Sequence, residues 1–173
     1  MSIAAGKTTE FIEKLLGFKA PVIRIMPNIN ATVLEAMSTY CCSESVTDDQ
    51  KEFVNKLCSS FGKVMPLSES YFPLFCSIAG CAPAYAYMFI DSLARSAVKN
   101  GMNKSVALEI AAQTVLGSAK KILESDEHPW ELIDKVCSPG GTTIEGIVSL
   151  QKDGFESAVC NAVDAALQKD KKV

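Results

Sequence analysis

Six consecutive residues, Ser138-Pro139-Gly140-Gly141-Thr142-Thr143, set a rigid turn former, two glycines and two hydroxyls just ahead of an amphipathic run that begins at Ile144. Proline fixes φ, and glycine lets backbone come close to whatever the turn encloses. A helix starting here aims its unpaired N–H groups and the positive end of its dipole at the turn, where a carboxylate or phosphate would be received. The same residues would also serve if Thr142 or Thr143 merely capped the helix. Spacing alone names no ligand.

Other chemistry-bearing residues are sparse. His128 is the single imidazole, and a lone histidine invites a general-acid reading. Its place in His128-Pro129, at an expected helix start, favours a capping or structural role, and Asp126 and Glu127 suit the dipole of that helix. The seven cysteines, at 41, 42, 58, 76, 81, 137 and 160, form no C-x-x-C pair and no zinc-like spacing with His128. They read as free thiols packed like small hydrophobes. Cys81 and Cys137 adjoin informative segments, yet neither has a neighbouring base that would mark a nucleophile.

The elements that must position these residues change character along the chain. Pro21 to Met26 reads as a strand ending at Pro27-Asn28, Glu35 to Cys42 as a second, and Lys63 to Leu67 as a short last one. Between them Thr47-Asp48-Asp49-Gln50 opens a helix with Phe53, Val54, Leu57 and Phe61 at helical spacing and Gly62 as its stop. Strand–helix alternation of this kind suits the end of a doubly wound domain, whose sheet would have a bare edge without earlier strands. From Glu69 onward only helix signals remain, over 82–99, 105–123, 128–136, 143–152 and 155–168. The two long helices are apolar around most of their circumference, with Tyr85, Met88, Phe89, Leu93 and Val98 in one and Leu108, Ile110, Val115 and Leu116 in the other. Such helices are expected to be buried, with a partner chain supplying part of the cover.

Composition narrows the classes. A chain of 173 residues with 48% hydrophobic and 21% charged residues is a globular chain, not a disordered one. The positive mean hydropathy of +0.16 suggests extra apolar surface, as at an obligate interface. A net charge of −3 argues against nucleic acid. The basic run Lys169 to Lys172 is broken by Asp170 and reads as a solvated tail. No unbroken run of eighteen apolar residues and no leader pattern is present, so the expectation is a cytoplasmic protein with no membrane partner.

Four blocks together, Ala79 to Tyr85, Ala111 to Gly117, Glu127-His128-Pro129 and Ser138 to Ile147, resemble the C-terminal half of pyrroline-5-carboxylate reductase, in that family's order and spacing. The resemblance runs from about Ser2 to Leu167. It implies an enzyme that passes hydride from NADPH or NADH to the ring C=N of pyrroline-5-carboxylate, giving proline. The substrate carboxylate is then expected on Ser138, Pro139, Gly140, Gly141, Thr142 and Thr143, with the Thr143 hydroxyl near the ring nitrogen as the catalytic candidate. Ala4, Ala5 and Gly6, with Met26, Pro27 and Asn28, resemble loops that face the nicotinamide, although ordinary strand-end turns would look the same. Ala79, Cys81 and Ala82 replace hydroxyls and a glycine of the family pattern, while Gly80 and Pro83 keep the turn that opens the long helix.

The family's opening G-x-G-x-x-G turn, which holds the dinucleotide pyrophosphate, has no counterpart among the ten glycines. The expectation is therefore a truncated reductase: an α/β remnant of a Rossmann-like cofactor domain over 1–67, then an all-α substrate-binding and dimerisation bundle over 68–173. It would form a homodimer or higher homo-oligomer and would be inactive alone for want of a bound dinucleotide. A dimerisation module without a working substrate loop is the rival reading. A reductase of another cyclic imine or a β-hydroxy acid is a further one.

Overall fold

The computed structural model describes residues 1–170, so the tail reading for Lys171 and Lys172 lies outside the described residues. The chain divides into two compact units. Met1–Pro83 together with the C-terminal segment from Ala162 makes one, and Ala84–Asn161 makes the other.

The first unit is built on a three-stranded sheet in the order β1-β2-β3, with β1 at Ile23–Met26, β2 at Ala36–Cys42 and β3 at Gly62–Pro66. Strands β2 and β3 are parallel, with Ala36 opposite Gly62 and Tyr40 opposite Pro66, and helix α2 (Asp48–Ser59) makes their crossover. A capping box starts α2: Gln50 N–H bonds the Thr47 hydroxyl while the Gln50 side chain accepts from Thr47 N–H. Strand β1 runs antiparallel to β2, pairing Ile23 with Cys42 and Met26 with Thr39. The sheet is thus mixed, because the short link Pro27–Glu35 permits only a reversal and a parallel pair needs a long crossover. Ser2 adds one parallel bridge to Arg24 on the outer side of β1.

Gly62 is a second correction. The helix ends earlier, with Ser60 as its C-cap, and Gly62 opens β3 with φ +151°. A Cβ there would stand 2.2 Å from the Ala36 carbonyl oxygen, so glycine permits the close approach of β3 to β2. The core is Ile23, Ile25, Tyr40, Val46, Val54 and Cys58, sealed by Cys42, Phe61 and Val64.

Four elements described next had no expectation of their own. Helix α1 (Thr9–Leu16) begins at the Thr8 cap, whose hydroxyl accepts from Phe11 N–H, and ends at Gly17 in the left-handed region. After β3, a 3-10 turn at Glu69–Tyr71 and a short helix α3 (Phe72–Phe75) lead into a π-helical turn at Cys76–Gly80. Gly80 therefore lies inside a continuing helical path, not in a turn that opens a new one, while Pro83 does stand in the first turn of α4 (Ala82–Lys99).

The remaining helices are α5 (Lys104–Leu123), α6 (Pro129–Val136), α7 (Thr142–Lys152) and α8 (Phe155–Asp170). No strand occurs after Pro66 among the described residues. Within the second unit α4 and α5 meet through the small residues Ala94, Ala107 and Ala111, backed by Ile90 and Ala97. Phe89 and Phe155 stack at 5.9 Å between ring centroids. The expected burial of the long helices is not met inside the chain, since the large side chains face outward: Met88 is 74% exposed and Leu116 59%. The continuous helical run Glu69–Lys99 has the length and apolar composition that could cross a bilayer, and 11% of its most apolar window is buried within the chain. That open apolar surface is what an interface helix would also present.

Candidate functional site

Residues 138–143 form a defined turn. Gly141 N–H donates to the Ser138 carbonyl at 3.0 Å, with Pro139 second and Gly140 third in the four-residue turn. Gly140 has φ +67°, the sign that a type II turn demands at this position and glycine adopts at least cost. Gly141 is constrained differently: a Cβ there would meet the Ser138 hydroxyl oxygen at 2.3 Å and the Ser138 carbonyl at 3.0 Å. Ser138 thus folds against the Gly141 backbone, and a larger residue at 141 would require the Ser138 hydroxyl to turn away.

Gly141 is also the N-cap of α7, and no side chain caps the helix. Thr142 and Thr143 occupy the first two helical positions, so the simple capping alternative does not hold. Both threonines, with Ser138, Pro139 and Gly140, are exposed. A helix start of this build, uncapped by side chains and approached through two glycines, has donors available for a small anion.

His128 takes the structural role. It is the N-cap of α6: its Nδ1 accepts from Trp130 N–H at 3.2 Å, and its own N–H donates to Glu131 Oε2 at 3.0 Å. Glu127 pairs with Lys135 at 2.5 Å, and that ammonium holds the Glu127 carboxyl below its ordinary pKa. Cys137 is the C-cap of α6. All seven cysteines are free; Cys58 is buried, Cys160 is exposed, and the other five are half-buried.

The residues expected to face a nicotinamide lie in the first unit. Asn28 is held by the protein itself, since its Nδ2 donates to the Ala79 carbonyl at 3.0 Å and its Oδ1 accepts from Met37 N–H at 3.2 Å. Asn28 therefore clamps the end of β1 to the start of β2 and to the π-helical turn. Ala4 N–H donates to the Ser2 hydroxyl at 3.2 Å. Ala4 and Ala5 are exposed, and Met26 and Pro27 are half-buried.

One cluster escaped the sequence reading. Glu69 accepts from Arg24 Nη1 at 3.0 Å, from Thr9 N–H at 2.9 Å and from the Thr9 hydroxyl at 3.0 Å. Arg24, 6% exposed, also lies over the Phe72 ring at 4.5 Å. Beside the same glutamate, the Cys41 thiol is pushed up to about 12, by burial first and then by the Glu69 charge. The available signal was an arginine inside Val22-Ile23-Arg24-Ile25, which has to find a buried partner.

With this geometry established, similarity to known proteins is informative. The sequence profile described as pyrroline-5-carboxylate reductase dimerisation matches residues 69–173. The chain belongs to the pyrroline-5-carboxylate reductase family. Pyrroline-5-carboxylate reductases of Aquifex aeolicus and Escherichia coli are each 39% identical over all 173 residues. The chain spans 65% and 64% of their respective lengths. Among solved structures, the enzyme of Streptococcus pyogenes is 40% identical with a TM-score of 0.94, over 99% of this chain and 66% of that one. The Plasmodium falciparum reductase, solved with NADP bound, is 35% identical with a TM-score of 0.92, over 99% of this chain and 69% of that one. Within the reductase fold the sheet is a small Rossmann-like piece, and the helices from Phe72 onward fall in the region matched as dimerisation.

Proposed function

We propose that this chain supplies the substrate-binding and dimerisation part of a pyrroline-5-carboxylate reductase, an oxidoreductase of proline biosynthesis. Ser138 to Thr143 receive the ring carboxylate on the turn and on the open N–H groups of α7. The uncapped, glycine-approached start of α7, inside a chain that matches the family over nearly its whole length, is the observation that carries this reading. The Thr143 hydroxyl donates toward the ring nitrogen, which gains a proton as the adjacent carbon is reduced. NADPH or NADH supplies the hydride when bound. Ala4, Ala5, Met26 and Pro27 offer apolar contact to its ring, and Asn28 holds their loops in place.

The division into a cofactor-domain remnant over 1–67 and a substrate and dimerisation domain over 68–173 belongs to this proposal. So do a cytoplasmic location, a homodimeric or higher assembly and the absence of nucleic-acid or membrane partners. On this reading the chain by itself binds proline and does not turn over.

Thermal unfolding in increasing proline tests the substrate site, since a ligand of the folded state raises its midpoint. Stabilisation that Thr143→Val abolishes without changing oligomeric state is the expected result. No stabilisation by proline, with assembly intact, would leave the dimerisation module, a reading favoured by the exposed apolar faces of α4 and α5.

A further inference from the structure

The π-helical turn at Cys76–Gly80 places two cysteines in an unusual relation. Five residues along an α-helix rise roughly 7.5 Å along the axis, beyond the Cα separation of about 7 Å that a disulfide can bridge. Here the helix widens, and Cys81 N–H donates to the Cys76 carbonyl at 2.9 Å, closing an i→i+5 turn that folds the two residues back toward each other. The Cys81 side chain lies close enough to help raise the Cys76 thiol. Gly80 makes room for this arrangement, because a Cβ there would already press on Cys76 Sγ at 3.3 Å. Both thiols are half-buried, so neither is sealed from small reagents. Single π turns of this kind recur at functional positions. Cys41 and Cys42, adjacent on β2, point to opposite faces of the sheet and have no such geometry.

We propose that Cys76 and Cys81 form a redox dithiol, oxidised by a low-molecular-weight disulfide such as glutathione disulfide to a disulfide that spans the π turn. The Cys81 thiolate attacks one sulfur of glutathione disulfide, forming a mixed disulfide and releasing one glutathione thiolate. Cys76 then loses its proton, and its sulfur attacks the Cys81 sulfur and expels the second glutathione. Two protein thiols are oxidised and one glutathione disulfide is reduced to two thiols. Cys76 is the resolving partner: burial first, then neighbouring Cys81 and Asp170, pushes its thiol up, with Arg24 acting in the opposite sense. The inference does not rest on the substrate reading.

Trypsin cleavage after Lys63 and Arg95 isolates both cysteines in one peptide that contains no other. The full chain is incubated with glutathione disulfide, alkylated under denaturing conditions, digested and weighed by mass spectrometry. The expected peptide has lost two hydrogens and takes up alkylating reagent only after reduction. Cys76→Ser, checked for fold by circular dichroism, should instead retain one glutathione on Cys81. A parent peptide that stays fully alkylated, or carries glutathione without loss of two hydrogens while exposed Cys160 reacts, would overturn the proposal.

Discussion

The sheet unit and the helical unit are both rich in apolar residues and both leave large ones exposed, yet only the sheet unit buries large ones in a core of its own. In the first, Val54, Cys58 and Phe72 are 0% exposed, and an arginine is buried with a glutamate partner. In the second, the buried residues among those described are Ala94, Ala107 and Ala111, while Leu123 remains 69% exposed and Val136 66%. The sheet unit completes a core from its own chain. The helical unit uses only small residues for its own crossing and leaves the large ones outward, which is how a surface looks when its cover comes from elsewhere. Apolar periodicity records burial in the finished assembly and does not say which chain provides it.

The contrast can be broken most sharply by truncation of large apolar side chains. Phe72→Ala should cost about 3–5 kcal/mol in urea unfolding, because the ring is fully buried and carries Arg24 on its face. Met88→Ala on α4 should stay within about 0.5 kcal/mol for the dilute chain, and instead weaken self-association. Equal losses at the two positions would erase the distinction between the units.

Next in size is the buried pair. Glu69→Ala leaves the Arg24 guanidinium and the Thr9 N–H without their acceptor, an expected loss of about 2–3 kcal/mol, less than for a sealed pair because the glutamate side chain is 27% exposed. Combining it with Arg24→Met should restore part of that loss in the same unfolding assay.

Cys41 gives a smaller, pH-dependent effect. Its thiol is raised from an ordinary value of 9.0 to about 12 by burial and by Glu69. Between these values the unfolded chain releases the proton while the folded chain retains it, so stability present below about pH 9 is lost as pH rises toward 12. Stability profiles of the parent and Cys41→Ala should diverge in this alkaline window, and parallel profiles would remove Cys41 from the Glu69 cluster. A modest effect belongs to the cap of α6: His128→Ala should cost about 1 kcal/mol as lost capping, with no separate effect on proline binding.

Much of the fold was legible because local signals coincided with it. Thr47 and Gln50 announced α2, Asn100-Gly101 closed α4, and Pro139-Gly140-Gly141 foretold a turn before α7. What escaped depended on contacts distant in sequence. The antiparallel pairing of β1, the demand for glycine at 62 against Ala36, and the Arg24–Glu69 pair are set by partners 13 to 45 residues away. The π turn escaped for a different reason, since Gly80 within Cys76 to Cys81 reads as a turn ahead of a new helix and not as a change of pitch inside a continuing one. At the candidate site, turn and helix start could be read from residue types. That Gly141, and not a threonine, occupies the cap position needed the backbone itself.

The measurement that bears most directly on the contrast between the units is the thermal unfolding midpoint of the chain over a roughly hundredfold range of concentration, with sedimentation at each end. A midpoint that rises with concentration, at dimer mass or above, is the result expected if a second copy covers the outward faces of α4 and α5. A midpoint independent of concentration, at monomer mass throughout, would contradict it.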